Sequence, residues 1–257
     1  MGVYRDQGVV LRTIRLGEAD RIVTLITRGH GKVRAVAKGV RRTKSRFGAR
    51  LEPVSHVSLL LYEGRELDVV SQAETLDHFR TIRDDLDRVA RATSMLEVVD
   101  QVAQEREPSA RLYQLLVGGL RALAASDAPL VLPAFFWRLL SLEGSSPILD
   151  GCARCGAPEP LVAFDLAEGG VLCRGCRQGS PISPEALRLL RRILGGGLAE
   201  ALNERAGPAT VELDHLAARS VEHHLERRLR SLGVIDGGGG AARGGGAWVR
   251  AAESPRK

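Results

Sequence analysis

Arg21-Ile22-Val23-Thr24-Leu25-Ile26-Thr27-Arg28-Gly29-His30-Gly31-Lys32-Val33-Arg34-Ala35-Val36-Ala37-Lys38 reads as two short strands, 21–27 and 31–37, joined by a tight turn at Gly29-His30-Gly31. Outward from this hairpin, Tyr4–Leu11, Val54–Tyr62 and Leu67–Gln72 are equally short, β-branched-rich and partly alternating. Glu63-Gly64-Arg65-Glu66 supplies the turn between the last two. Five strands within the first eighty residues suggest a small closed barrel. An oligonucleotide-binding (OB) type barrel, whose second and third strands and loops form a binding face, fits this order. An SH3-like barrel would give much the same string.

The same hairpin carries the charge. Net charge is +6, and from Arg21 through Leu51 there is no Asp or Glu, while Arg21, Arg28, Lys32, Arg34, Lys38, Arg41, Arg42, Lys44, Arg46 and Arg50 all fall there. Strand alternation puts Lys32, Arg34 and Lys38 on one face with Val36 between them, and turns Val33, Ala35 and Ala37 to the barrel core. The following 39–48 segment reads as a cationic loop, with Ser45 and backbone amides available to phosphates and Phe47 available to stack on a base. The expected nucleic-acid contacts are Arg28, Lys32, Arg34, Lys38, Arg41, Arg42, Lys44, Ser45, Arg46, Phe47 and Arg50. The competing reading is a solvated charged edge strand, but such an edge ordinarily mixes both signs.

After Thr81, taken as a helix cap with Asp84 in its first turn, the apolar period changes from two to 3.6. Leu86, Val89, Ala90, Thr93, Leu96 and Val99 mark one stripe; Leu112, Leu115, Leu116, Leu120 and Leu123 mark another; a third helix carries Phe135, Phe136, Trp137, Leu139 and Leu140. Gly118-Gly119 suits a close helix crossing. Ser183-Pro184-Glu185 starts a further helix and Gly195-Gly196-Gly197 stops it. Leu213, Leu216, Val221, Leu225, Leu229 and Leu232 outline a last helix. Beyond Gly233 the chain is Gly-rich with little to bury. Arg243 and Arg250 around Trp248 offer at most weak nucleic-acid contact there.

All four cysteines fall into Cys152-x2-Cys155-x17-Cys173-x2-Cys176, the spacing of a four-thiolate zinc site. The intervening Leu161–Asp165 and Val171–Cys173 can form a hairpin that returns the second pair to the first. One structural Zn2+ per chain is expected, since four thiolates leave no open position for water or substrate; a disulfide pair or redox dithiol is the other reading. His215, His223 and His224 lack complementary ligand spacing, and Asp84, Asp85 and Asp87 are explained by a helix N-terminus.

The fold class expected is therefore α+β. An N-terminal five-stranded OB-fold barrel occupies 1–80, and an α-helical domain occupies 81–236 with the zinc ribbon inserted at 151–179. A disordered Gly-rich tail covers 237–257. At 44% hydrophobic the chain folds, and the longest uncharged apolar stretch, around Ala128–Trp137, is too short to span a bilayer. Gly2 does not signal myristoylation, because Asp6 stands where that signal wants Ser or Thr. A cytoplasmic, nucleoid-associated protein without membrane contact is expected. No Walker A loop, GxGxxG after a strand, HExxH, GxSxG or zinc-deaminase pairing occurs, which argues against an enzyme.

Gly29-His30-Gly31-Lys32, Ala37-Lys38-Gly39-Val40-Arg41-Arg42, Lys44-Ser45-Arg46, the cysteine quartet and the closing His224-Leu225-Glu226-Arg227-Arg228-Leu229-Arg230-Ser231-Leu232 come in the order of the RecO family of bacterial recombination mediators, which the chain resembles over 1–236. The resemblance implies an OB-fold domain that binds single- and double-stranded DNA and anneals complementary strands. It implies work with RecR to help RecA load on DNA coated by single-stranded-DNA-binding protein, whose C-terminal tail docks in the helical region, and possible participation of RecF. The alternative is a zinc-ribbon transcription or RNA-binding factor; a metal-dependent nuclease comes third.

Overall fold

A computed structural model of the chain describes residues 2–45 and 47–232. The Arg46 contact and the 237–257 tail anticipated from the sequence lie outside the described residues. Strands β1 (Val3–Leu16), β2 (Asp20–Thr27), β3 (Gly31–Ala37), β4 (His56–Tyr62) and β5 (Asp68–Asp77) close a barrel in the order β1-β2-β3-β5-β4. β1 pairs antiparallel with both β2 and β4, and β3 meets β5 in parallel at Ala35↔Asp68 and Val36↔Val69. That circuit is the OB topology, which settles the choice between barrel types. β1 runs five residues past the expected end at Leu11; a bulge between Val10 and Arg12 bends it so that its second half pairs only with β2, as a hairpin that overhangs the barrel.

Val10, Val23, Leu25, Val33, Ala35, Leu59, Leu61 and Val70 fill the barrel interior. Val9, Leu11 and Ile26 belong instead to a larger core shared with the helices, because they lie on the barrel's outer face where helices cover it. Those helices are α1 (Arg80–Arg83), α2 (Leu86–Val102), α3 (Ala110–Ala125), α4 (Val131–Leu142), α5 (Pro184–Gly195), α6 (Leu198–Leu202) and α7 (Pro208–His224).

The expected cap at Thr81 is not made. Thr81 donates its hydroxyl to the Ala124 carbonyl, α1 is a single turn, and Asp85 caps α2 by accepting from the amides of Asp87 and Arg88. Ser183 caps α5 as its sequence indicates, accepting from Ala186 N–H with Pro184 in the first turn. Only one glycine of the Gly118-Gly119 pair marks a close crossing. A Cβ on Gly119 would lie 2.9 Å from the Phe135 ring and 3.3 Å from Met95 sulfur, whereas one on Gly118 would meet nothing within 4 Å. The last apolar stripe also breaks earlier than its period suggests. α7 ends at His224, Glu226 takes φ +50°, and Leu229 turns back into the core with its N–H on Glu222, while the amides of Arg230 and Ser231 bond Glu97.

The ribbon strands β6 (Leu161–Asp165), β7 (Gly170–Cys173) and β8 (Ser180–Pro181) form a small sheet in the order β7-β6-β8. Phe164, Val171 and Leu172 join the helical core, and Phe164 meets Trp137 edge-on at 5.6 Å between ring centroids. No described helix is long and apolar enough to cross a membrane.

Candidate nucleic-acid interface and metal centre

β3 alternates as expected, with Val33, Ala35 and Ala37 inside and Lys32, Arg34 and Val36 outside. The outward face is nevertheless divided. At its start Lys32 is only 15% exposed, its ammonium donating at 2.7 Å to the Asp100 carbonyl of α2, and Arg34 faces Glu105 at 3.8 Å. Arg12 from β1 joins them through the Asp100 carboxylate at 2.6 Å. Arg12 and Lys32 fasten the barrel to α2 and Arg34 reaches the link after it, and Lys32 is withdrawn from the surface expected to meet phosphate. The reason is tertiary: the chain between α2 and α3 runs beside β3, with Lys32 N–H on the Gln104 carbonyl and Arg106 N–H on the Lys32 carbonyl. Gly31, at φ +67°, is required there, since a Cβ would sit 2.0 Å from the Glu107 carbonyl oxygen.

The acid-free block does not form one patch. Arg28 is exposed in the β2–β3 turn, which Asp6 holds by accepting from Gly29 N–H and meeting His30 Nδ1 at 2.6 Å. Lys38, Arg41, Arg42 and Lys44 gather at the other end of β3, roughly 20 Å away along a strand of this length. There the loop is docked on the β1–β2 hairpin tip. Arg41 N–H bonds the Ala19 carbonyl, its guanidinium reaches the Gly17 carbonyl, and Asp20 accepts from Gly39 N–H. Lys38, Arg42 and Lys44 are exposed and have no ion-pair partner among the described residues. Arg50 is exposed in the 3-10 turn Gly48–Leu51.

One expected contact is corrected. Phe47 is 1% exposed and packs in the barrel core with Leu51, so it plugs the barrel and presents no face to a base. Ser45 accepts from Phe47 N–H, which leaves its O–H proton to donate. One cation was missed. Arg15 is exposed opposite Arg21 in the overhanging hairpin, and only the extension of β1 past the bulge brings it beside the loop.

The cysteines converge. Their sulfurs all lie within 4.8 Å of one another, and Cys155 Sγ stands 3.7 Å from Cys173 Sγ. Four thiolates at about 2.3 Å around a tetrahedral ion have edges of about 3.8 Å, whereas a disulfide needs about 2.05 Å. All four are free cysteines, so the donor set fits a metal ion and not a pair of disulfides. Backbone amides of Cys173, Cys155 and Arg154 pull the Cys152 thiol down to about 6, against its burial. Cys176 is pushed up to about 12, first by its contact with Cys155 and then by burial and the neighbouring thiols. Four sulfurs so crowded ionise together only around a cation. Among the described residues this is the one cluster of potential metal ligands; His224 instead meets the Ser145 hydroxyl at 3.0 Å.

A groove of about 470 Å³ opens between α3, α4 and α6, with Leu115, Ala122, Phe135 and Leu198 in its wall and exposed Arg111 and Arg138 at its edge. Gly118, the glycine without a packing partner, lines it.

Residues 1–79 match the family described as Recombination protein O N terminal, and residues 83–233 match Recombination protein O C terminal. The chain belongs to the RecO family. It is 48% identical over 242 residues to the DNA repair protein RecO of Frankia casuarinae, covering 92% of this chain and 99% of that one. It is also 48% identical over 244 residues to the DNA repair protein RecO of a Nocardioides species, covering 91% and 99%. Both relatives are named as DNA repair proteins, and the two family matches together span the barrel and the helical part of this chain.

Proposed function

We propose that this RecO-family chain binds single- and double-stranded DNA and anneals complementary strands, and that with RecR it helps load RecA on DNA coated by single-stranded-DNA-binding protein. The observation that carries the reading is the group Lys38, Arg41, Arg42 and Lys44, held out on a docked loop with three of its four cations unpaired among the described residues. Such a surface neutralises phosphates on two strands and lowers their repulsion, while leaving base edges free to pair. No bond-making group is needed. Arg28 and Arg50 extend the contact from other parts of the barrel, and Arg34 contributes its exposed side. A single Zn2+ held by Cys152, Cys155, Cys173 and Cys176 clamps the ribbon without touching DNA. In this reading 1–80 is the DNA-binding domain and 81–236, with the ribbon at 151–179, is the partner-binding domain. The chain acts in the cytoplasm at the nucleoid.

The α3–α4–α6 groove has the chemistry for the partner. An acidic peptide such as the tail of single-stranded-DNA-binding protein would set its carboxylates on Arg111 and Arg138 beside the apolar wall of Phe135 and Leu198.

The test is annealing of complementary strands, naked and coated with single-stranded-DNA-binding protein. Arg41→Glu with Arg42→Glu should weaken binding to all sequences alike and reduce the log–log salt slope by about 2. Arg138→Glu should anneal naked strands normally and fail on coated ones. Unchanged low-salt affinity in the first variant removes the loop from the interface.

A further inference from the structure

We infer that Cys155 and Cys173 form an oxidation site, which a hydroperoxide converts to a disulfide so that the chain gives up its metal. This rests on the proposed zinc clamp and gives the ribbon a second, reversible state.

The four sulfurs are not equivalent. Cys152 is 3% exposed, with its own N–H on the Ala157 carbonyl and Gly156 N–H on its carbonyl. Cys155, on the same turn, is exposed. Cys173 ends β7 half-buried, its Sγ 3.7 Å from Cys155 Sγ. An oxidant arriving from solvent therefore meets Cys155 first and finds Cys173 beside it as the second sulfur. Closing that separation to the roughly 2.05 Å of a disulfide takes a small shift of the two turns. Neither turn is braced against it, since a Cβ on Gly156 would meet nothing within 4 Å and one on Gly175 only Cys173 Sγ at 3.9 Å. All four cysteines of the chain lie in this cluster, so a disulfide formed here has no competing thiol elsewhere in the chain.

The chemistry balances. A sulfur held to a metal is a thiolate, the nucleophilic form. Cys155 Sγ attacks one peroxide oxygen; an S–O bond forms, the O–O bond breaks, and the departing hydroxide takes a proton from solvent. The resulting sulfenic acid is attacked at sulfur by the Cys173 thiolate; the S–S bond forms and a second hydroxide leaves and is protonated. The two sulfurs lose two electrons, and the peroxide is reduced to two waters. Two thiolates then remain where a structural zinc ion takes four ligands. Because Phe164, Val171 and Leu172 belong to the helical core, its loosening follows, while the barrel interior packs on a separate set of side chains.

The purified chain would be treated with one equivalent of hydrogen peroxide, with zinc release followed by a chromogenic chelator. Trypsin cuts after Arg154 and Arg174, which leaves Cys155 and Cys173 on one peptide and puts Cys152 and Cys176 on two others. The expected product is that peptide, lighter by the two hydrogens lost and closed to alkylation, with Cys152 and Cys176 alkylated. Release should follow its formation, the melting temperature of the helical region should fall, and a dithiol reductant with added zinc should restore both. Cys155→His keeps a ligand set that holds structural zinc but removes the exposed sulfur, so release should slow about tenfold. Cys176→His leaves the pair intact and should release zinc within about twofold of the unaltered rate. Equal protection by the two variants overturns the assignment. So does a disulfide mapped within Cys152-x2-Cys155 or Cys173-x2-Cys176, or zinc retained with the pair oxidised. The mapping needs only the unaltered chain, so it decides even where a variant does not fold. If the untreated, reduced chain holds no zinc by elemental analysis, the clamp reading fails by itself, and mapping still tests the pair.

Discussion

Phe47 lies within the loop that carries the free cations and is itself shut inside the barrel, so its ring sets the loop's position through packing. Phe47→Ala should cost about 3–5 kcal/mol in denaturant unfolding, the usual toll of emptying a buried aromatic site. Phe47→Leu separates anchoring from stacking: it keeps most of the plug, so single-strand affinity should hold, and a large loss would return the ring to the DNA. An aromatic in a basic loop looks the same on the page whether it points in or out. What turned it inward is the space at the barrel mouth beside Leu51, made by strands distant in sequence. Lys32 carries the same lesson with opposite chemistry, since its outward direction was legible from alternation but its partner, Asp100, comes from a helix 68 positions away.

At the scale of elements, the ribbon was readable almost to the residue, because ligand spacing and a hairpin are both local. Its consequence was not. Phe164, Val171 and Leu172 lie in the core of the helices, so the proposed metal clamp would support that core and not merely a surface knuckle. Cys173→Ser should lower metal content below one ion per chain by elemental analysis and lower the melting temperature of the whole helical region. A metal-free variant that melts normally would end the clamp argument. The final helix shows the limit of periodicity. Leu225, Leu229 and Leu232 keep helical spacing, yet the carboxylates of Glu222 and Glu97 take the amides of Leu229, Arg230 and Ser231 and hold a turn instead.

For the molecule as a whole, the barrel is tied to the helices through polar groups as well as the shared core. Asp68 of β5 is fully buried and bonds the Tyr4 hydroxyl of β1, Gly64 N–H, and the guanidinium of Arg106 on the α2–α3 link at 2.6 Å. Burial pushes its carboxyl up, and these three partners outweigh it, leaving the carboxyl below the usual range. On the other side of the seam buried His56 meets the Tyr113 hydroxyl of α3 at 2.7 Å, and burial first, then the Arg121 charge, pull its imidazole below the ordinary value. Both shifts make the unfolded chain bind more protons, so stability should fall on acidification. The loss should begin as pH drops through about 6.5, where His56 of the unfolded chain protonates, and a second stage should begin below about 4 from Asp68. Denaturant midpoints across this range check it, with Asp68→Asn removing the lower stage only.

The sequence by itself determined the five barrel strands in outline, the apolar stripes of the main helices, the start of α5, the cysteine quartet and the concentration of charge. Each rests on residues within a few positions of one another, through alternation, helical period, caps and ligand spacing. Tertiary structure alone decided which cations stay free, that Phe47 is a plug, that Arg15 stands exposed on the overhanging hairpin, and that ribbon and helices share one core. Those outcomes depend on which surfaces cover one another, and burial is a property of neighbours brought together from far apart in the chain.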